Sequence, residues 1–103
     1  MEEEFTDKFN NKIRFTDKRW NHIIKEHPEA ESYKNRLSDI LKNPDLVKKS
    51  TRDKDTLLYY RYYKDIFRGK YLLVVARPKG DKMLLTCFIT DRIKEGDLLW
   101  EKD

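Results

Sequence analysis

TLLYYRYYKDIFRGKYLLVVARPKGDKMLLTCFIT, residues 56–90, is the stretch that decides the fold, because it holds three apolar runs of strand length. β-Branched and aromatic residues, which favour strands, dominate the runs TLLYYRYY, YLLVVA and MLLTCFIT. Short turn-like segments, RGK and PKGDK, separate them, so neighbouring runs can pair in antiparallel order. YLLVVA is apolar throughout and is predicted to be a central strand buried on both faces. This stretch therefore predicts an antiparallel meander.

Alternation places the side chains of the first run on two opposite faces of its strand. One face carries Tyr59, Arg61 and Tyr63, and the other carries Tyr60, Tyr62 and Lys64. Aromatic rings interleaved with cations are typical of surfaces that stack bases and hold phosphates. Tyrosine ladders also stabilise sheets through cross-strand pairs, so the strand has a purely structural interpretation as well.

The third run divides in the same way into an apolar face and a more polar face. The apolar face, predicted to pack on the helices, consists of Leu85, Cys87 and Ile89. The more polar face, which can line an open groove, consists of Thr86, Phe88 and Thr90. Cys87 is the only cysteine, which excludes an internal disulfide and a multi-cysteine metal site and favours a buried structural thiol.

Upstream of residue 56 the apolar residues recur with a helical period. A short hairpin is predicted around Asn10-Asn11, and Thr16 is a suitable N-cap for a helix that begins at Asp17. One stripe of this helix consists of Trp20, Ile23, Ile24 and His27. Pro28 interrupts it but suits the first turn of a second helix, predicted over residues 28–42 and stopped by Asn43-Pro44.

The order of elements predicts the fold class. A short strand is predicted at Leu46-Val47, and the segment DRIKEGDLLW is predicted to form a loop and a last short strand. Helices followed by a meander indicate an α+β domain, with the N-terminal helices packed on one face of a roughly four-stranded antiparallel sheet. The chain of 103 residues fits one domain, 1–103.

Composition narrows the function class only slightly. Lys and Arg outnumber Asp and Glu by 23 to 19, giving a net charge of +4, a mild excess that is compatible with nucleic acid. The opening MEEEF does not resemble a signal peptide, and no apolar run is long enough to cross a bilayer. A cytoplasmic protein with no membrane partner is therefore expected.

Both histidines of the chain, His22 and His27, lie in the stretch HIIKEHPE, residues 22–29. At about 100° per residue they are about 140° apart on a helix, which argues against a metal pair, and no cofactor is expected. His27 shares the stripe that meets the sheet, at the helix end, where a general acid or base can reach a cleft. Each histidine also has a purely structural interpretation. His27 can be a core histidine whose hydrogen bonds are made within the protein, and His22 can be a solvated surface histidine.

The order of motifs resembles a family of small barnase–EndoU–colicin–RelE-like nuclease domains, especially those of phage and polymorphic-toxin proteins. The most specific pattern is W-x-H-I-x-x-x-H-P-E, met here by Trp20, His22, Ile23, His27, Pro28 and Glu29. Other matching pieces are Asn43-Pro44-Asp45, Leu73-Val74-Val75 and Thr86-Cys87-Phe88-Ile89-Thr90. The resemblance covers nearly the whole chain and departs at Cys87, where the family pattern favours alanine.

The resemblance implies an α+β fold and metal-independent RNA cleavage. It implies His22 and His27 as acid/base candidates and Thr86 and Thr90 as groove-lining hydroxyls, while Arg61 fits a cation that binds the scissile phosphate. The further residues predicted to contact RNA are Tyr59, Tyr63, Arg77 and Lys49. RNA is the expected partner, together with a cognate antitoxin or immunity protein.

The chemistry is consistent with this expectation. Cutting RNA without a metal needs a base for the 2′-hydroxyl proton, an acid for the leaving oxygen and a cation for the charged phosphorane. Histidine serves either proton-transfer role, and arginine binds phosphate. We therefore expect a toxin-like endoribonuclease acting by 2′-hydroxyl transesterification. The alternatives are a non-catalytic module that binds RNA or a protein on the same sheet, and a groove reassigned to a small molecule.

Overall fold

The computed structural model describes residues 2–103. In chain order its elements are β1 (Glu2–Thr6), β2 (Lys12–Thr16), α1 (Asp17–Glu26), a 3₁₀ segment (Pro28–Arg36), α2 (Leu37–Lys42), β3 (Leu46–Lys49), β4 (Leu57–Tyr63), β5 (Lys70–Ala76), β6 (Leu84–Thr90) and β7 (Leu98–Glu101). The three runs of residues 56–90 form β4, β5 and β6, which pair as the expected antiparallel meander.

The strands form two separate sheets. β1 and β2 form a two-stranded antiparallel hairpin, and the remaining strands form a five-stranded antiparallel sheet in the order β6-β5-β4-β3-β7. The α+β class is confirmed, whereas the expected strand number is corrected from four to five. β7, the last short strand predicted in DRIKEGDLLW, pairs with β3 at the edge and is fixed there by the bonds from Lys49 N to Asp97 O (2.8 Å) and from Lys102 N to Asp45 O (2.8 Å).

The helical half is less regular than predicted. The Thr16 cap is confirmed, since its side chain accepts a 3.1 Å hydrogen bond from the Arg19 amide. The single helix expected over residues 28–42 is wrong: a 3₁₀ segment, with Tyr33 outside helical angles (φ −118°, ψ 16°), precedes a short α2. Ala30 is the one buried residue of that segment, so tertiary packing does little to hold regular α geometry there.

The N-terminal hairpin turns at the predicted asparagines. Asn10 has a φ of 68°, a left-handed angle that asparagine tolerates better than most residues. Asp7 holds the turn by accepting hydrogen bonds from the backbone amides of Phe9 (3.0 Å) and Asn11 (2.7 Å). Because β2 alternates exposed and buried residues, Ile13 and Phe15 point into the core.

The five-stranded sheet buries residues on both faces. We call the side that packs on α1 and α2 the helix face; its buried members include Tyr59, Leu72, Val74 and Cys87. We call the other side the crossover face; its residues include Leu46, Leu58, Tyr60, Leu73, Tyr71, Val75 and Phe88. β5 therefore contributes buried side chains to both faces, as expected for YLLVVA.

The crossover face takes its name from residues 91–97, the crossover segment. This segment must pass from β6 at one edge of the sheet to β7 at the other edge. The Lys94 amide donates a 2.9 Å hydrogen bond to the Tyr60 hydroxyl, and Lys48 Nζ donates one of 3.1 Å to the Lys94 carbonyl. These bonds place the segment over the face opposite the helices.

Candidate functional site

His27 ends α1 and reaches the crossover face at the edge strand β6. Its amide donates a 2.7 Å hydrogen bond to the Ile23 carbonyl as the helix closes, and Pro28 then redirects the chain. The imidazole stacks on the Phe88 ring, with the ring centroids 5.0 Å apart and the planes inclined by 25°. About a third of the side chain (34%) stays exposed, and Nδ1 lies 3.8 Å from a Glu29 carboxylate oxygen. His27 is therefore held by an aromatic contact and still open to solvent.

Lys94 brings a positive charge to the same aromatic ring. Its ammonium lies 5.3 Å from the Phe88 ring centroid, a distance at which a cation interacts favourably with the ring. The backbone hydrogen bond from Lys94 to the Tyr60 hydroxyl anchors this part of the crossover segment. Burial raises the pKa of Tyr60. An imidazole and an ammonium group thus lie beside one ring.

Two hydroxyl groups flank Phe88 on β6. Thr86 and Thr90 share its face of the sheet, as expected from the alternation. The Thr90 hydroxyl is occupied in a local turn, accepting from the Arg92 amide (3.1 Å) and donating to the Arg92 carbonyl (3.2 Å). Thr86 Oγ1, in contrast, is buried and has no hydrogen-bond partner within residues 2–103. A buried polar atom without a partner is unusual.

His22 lies elsewhere on α1. Its side chain is 58% exposed, and Nε2 is 3.0 Å from a Glu26 oxygen one helical turn away. It lines a surface cavity of about 410 Å³ together with Arg19 and Met83, among others. The helix geometry thus separates the two histidines, and His22 does not join His27 at Phe88.

The predicted face of Tyr59, Arg61 and Tyr63 exists but is the helix face. Tyr59 is fully buried, so no base can stack on it. Arg61 forms an ion pair with Asp39 (3.0 Å) and donates to the Asn43 carbonyl (2.9 Å). The sheet therefore separates Arg61 from His27 and Thr90, because alternation sends Arg61 toward α2.

Tyr63 also lies on the helix face. It packs against the core there, its hydroxyl donates to Asp39 at 3.3 Å, and Arg36 lies over its ring, 4.6 Å from the centroid. Burial raises the pKa of Tyr63 to about 12. A ring covered in this way offers little surface to a base.

Lys49 and Arg77 lie at the end of the sheet where β3 and β5 finish. Arg77 is paired with Asp81 (3.1 Å) and Asp53 (3.8 Å). Lys49 lines a cavity of about 590 Å³ whose other residues are Phe9, Asn11, Lys54, Asp55, Leu57, Pro78, Lys79 and Leu99. His27 does not line this cavity, so the cavity is separate from the candidate site around His27.

Sequence reasoning missed Lys94. The segment DRIKEGD has no period that assigns it to a helix or strand, and its basic residue resembles any solvated lysine. Lys94 could have been found only from the strand order. Because β6 and β7 lie at opposite edges, the segment that connects them must cross the face of the sheet. That arrangement depends on the pairing of β7 with β3, which the sequence does not reveal.

Within residues 2–103, no group of three or more His, Cys, Asp or Glu side chains is placed to hold a metal ion. In the same range, neither length nor hydropathy allows any helix to span a membrane.

Comparison with known proteins identifies the family. The family model described as phage-Barnase-EndoU-ColicinE5/D-RelE like nuclease2 matches residues 2–101. No curated protein and no solved structure matches the chain. The matched range covers nearly all of the sequence, from β1 to the end of β7. The chain therefore belongs to the phage-Barnase-EndoU-ColicinE5/D-RelE like nuclease2 family.

Proposed function

We propose that this protein is a toxin-like nuclease that cleaves RNA by transesterification at the 2′-hydroxyl, without a metal ion. The observation that carries the proposal is the position of His27, a partly exposed imidazole fixed against Phe88 at the rim of the crossover face. Histidine is suited to proton transfer near neutral pH. Membership of a nuclease-like family supports the nuclease part of this proposal.

The base and the phosphate-binding groups have candidates beside Phe88, while water serves as the acid. The 2′-oxygen attacks phosphorus as His27 takes its proton, and the P–O5′ bond breaks to leave a 2′,3′-cyclic phosphate and a 5′-oxygen that is protonated from water. Lys94 supplies positive charge for the phosphorane, the role first expected of Arg61. The Thr86 hydroxyl, which is buried and has no partner within residues 2–103, donates to a phosphate oxygen once the atoms that cover it move aside.

Glu29 has a supporting part in this scheme. Its carboxylate lies 3.8 Å from Nδ1 of His27, so it attracts the imidazolium that forms once the 2′-hydroxyl proton has been taken. Nε2 is the nitrogen left for substrate. His22 already pairs with Glu26 on another surface and is not assigned a step.

A cleavage assay with two histidine variants tests the proposal. Fluorescent RNA is incubated with pure protein in EDTA, and the expected product ends in a 2′,3′-cyclic phosphate. His27→Ala should lower the rate by about 100-fold or more, the usual contribution of a general acid or base. His22→Ala is the matched control, from the same helix, and should retain the activity.

Several outcomes would contradict the proposal. An equal loss of cleavage activity in His27→Ala and His22→Ala would show that His27 has no special role. Cleavage of an all-deoxy oligonucleotide at the same rate would exclude attack by the 2′-hydroxyl. Protein that binds RNA but never cuts it would favour the non-catalytic binding module instead.

A cognate inhibitor protein, as toxin-like nucleases require, would be expected to cover His27.

A further inference from the structure

We propose that Tyr62 and Tyr71 form a stacking platform for an unpaired base next to the scissile phosphate, so that the substrate is single-stranded RNA. This inference rests on the proposed function and adds a substrate class to it. The tyrosines first expected to stack bases, Tyr59 and Tyr63, are covered on the helix face. Tyr62 and Tyr71 belong to the crossover face, where His27 lies.

The sheet register places the platform beside the candidate site. Tyr62 on β4 is paired with Tyr71 on β5, which is paired in turn with Thr90 on β6. Phe88 is two residues before Thr90 on the same face, about 7 Å along the strand. A chain that presents its phosphate to His27 can therefore lay a neighbouring base over the tyrosines.

The two rings form a continuous aromatic surface. Tyr62 and Tyr71 meet edge to face, with centroids 5.5 Å apart and planes inclined by 73°. Tyr71 also meets the buried Tyr60 edge to face at 6.0 Å. Tyr62, the next-to-last residue of the central strand β4, is 46% exposed, so part of its ring is open to a ligand.

The position of Tyr62 is fixed before any ligand arrives. Its amide donates a 2.7 Å hydrogen bond to an Asp45 carboxylate oxygen. Its hydroxyl lies over Gly69, where an added Cβ would come within 1.9 Å of the oxygen. A ring that is already positioned loses little conformational freedom on binding.

Two cations follow Tyr62 in the turn that ends β4. The β4–β5 turn, residues 64–69, carries the basic side chains Lys64 and Arg68, whereas Lys70 is paired with Tyr63 and therefore belongs to the helix face. Their one acidic neighbour, Asp65, is engaged by Arg36 in an ion pair of 2.5 Å. Aromatic rings beside free cations are the arrangement that binds single strands, whereas duplex RNA hides its base faces and is recognised by shape.

Binding is measured in the His27→Ala background, so that the probe is not cut. Fluorescence anisotropy compares a labelled single-stranded RNA of mixed sequence with its blunt duplex. Tyr62→Leu should weaken single-strand binding by roughly 5- to 100-fold, the range of one lost base stack. Tyr62→Phe keeps the ring and should bind within about twofold of the background protein. Phe9→Ala, an exposed aromatic (40%) on the N-terminal hairpin, should leave binding unchanged.

The outcomes separate this inference from the proposed function. Unchanged single-strand binding by Tyr62→Leu would overturn the platform even if wild-type protein cuts RNA. Equal or tighter binding of the duplex would overturn the substrate class. Wild-type protein that binds single strands through Tyr62 but cuts none would overturn the proposed cleavage and leave the platform supported.

Discussion

The Tyr59 hydroxyl donates a 2.6 Å hydrogen bond to the Asp7 carboxylate, joining the middle of β4 to the turn of the N-terminal hairpin. Both residues are buried, with Tyr59 at 0% and Asp7 at 3% exposure. Asp7 also accepts hydrogen bonds from Phe9 and from both the backbone and the side chain of Asn11. Burial, and then this bond, raise the pKa of Tyr59. A tyrosine that resembled a base-stacking residue is thus a link between the two sheets.

Breaking this link should destabilise the fold without touching the candidate site. Tyr59→Phe removes one donor from a buried carboxylate and should lower the free energy of unfolding by about 1–3 kcal/mol. Asp7→Ala removes the carboxylate that accepts four hydrogen bonds, from Phe9, from the backbone and the side chain of Asn11 and from Tyr59, and should lower the free energy of unfolding further. Chemical denaturation followed by circular dichroism measures both, and the double variant should be less destabilised than the sum of the two. Strict additivity would show that the two groups do not interact.

Replacing Phe88 should release the His27 imidazole. Phe88→Leu keeps an apolar residue but removes the stacked ring, so cleavage should fall by about 2- to 10-fold, the value of one aromatic contact. Proton NMR gives a readout that does not depend on activity. The ring current of Phe88 shifts the His27 imidazole resonances in the wild type, and this shift should disappear in the variant. The His22 resonances serve as the internal control, and unchanged His27 resonances would exclude the stacked arrangement.

Gly69 should be needed for the position of Tyr62. Gly69 has a φ of +114°, and a Cβ there would meet the Tyr62 hydroxyl at 1.9 Å. Gly69→Ala should therefore cost about 1–3 kcal/mol of unfolding free energy through backbone strain and should weaken single-strand binding. Gly80→Ala is the matched control, because its nearest neighbour would be 3.7 Å away. Equal effects of the two substitutions would show that strain at Gly69 is unimportant.

Cys87 should be inert in the folded protein. Burial raises the pKa of its thiol to about 12, and the thiolate is the form that reacts. Alkylation by iodoacetamide at about pH 8 should be slow in the native protein and fast in guanidinium chloride, where the pKa returns to about 8.5. Mass spectrometry follows the adduct, and rapid labelling of the native protein would contradict the burial of Cys87.

Alkaline pH should unfold the protein through its buried tyrosines. The pKa of Tyr63 is about 12 in the fold, raised mainly by burial, and lies above the value of about 10 for an exposed tyrosine. The contribution to stability is present below about pH 10 and is lost as pH rises toward 12, because the unfolded chain releases its proton first. Denaturant midpoints across this range measure the loss. Tyr63→Phe should flatten the dependence, and an unchanged slope would contradict the assignment to Tyr63.

Periodicity in the sequence determined most of the secondary structure. Alternation and β-preferring residues identified β4, β5 and β6, and Thr16 marked the start of α1 correctly. The same alternation grouped Thr86 with Phe88 and Thr90, because neighbouring side chains of a strand must point to opposite faces. Helix geometry separated His22 from His27 for a similar reason. These results depend on local geometry alone, which the order of residues fixes.

For β4, only the tertiary structure decided which face met the helices and which stayed available. Both faces carry tyrosines, with Arg61 on one and Lys64 following on the other, so composition could not show that Tyr59 is buried and Tyr62 exposed. Nor could it place Lys94 beside Phe88, since that contact depends on β7 pairing with β3 at the far edge. Long-range packing chooses between patterns that are locally equivalent, and here that choice separated Arg61 from His27 and brought Lys94 to Phe88 instead.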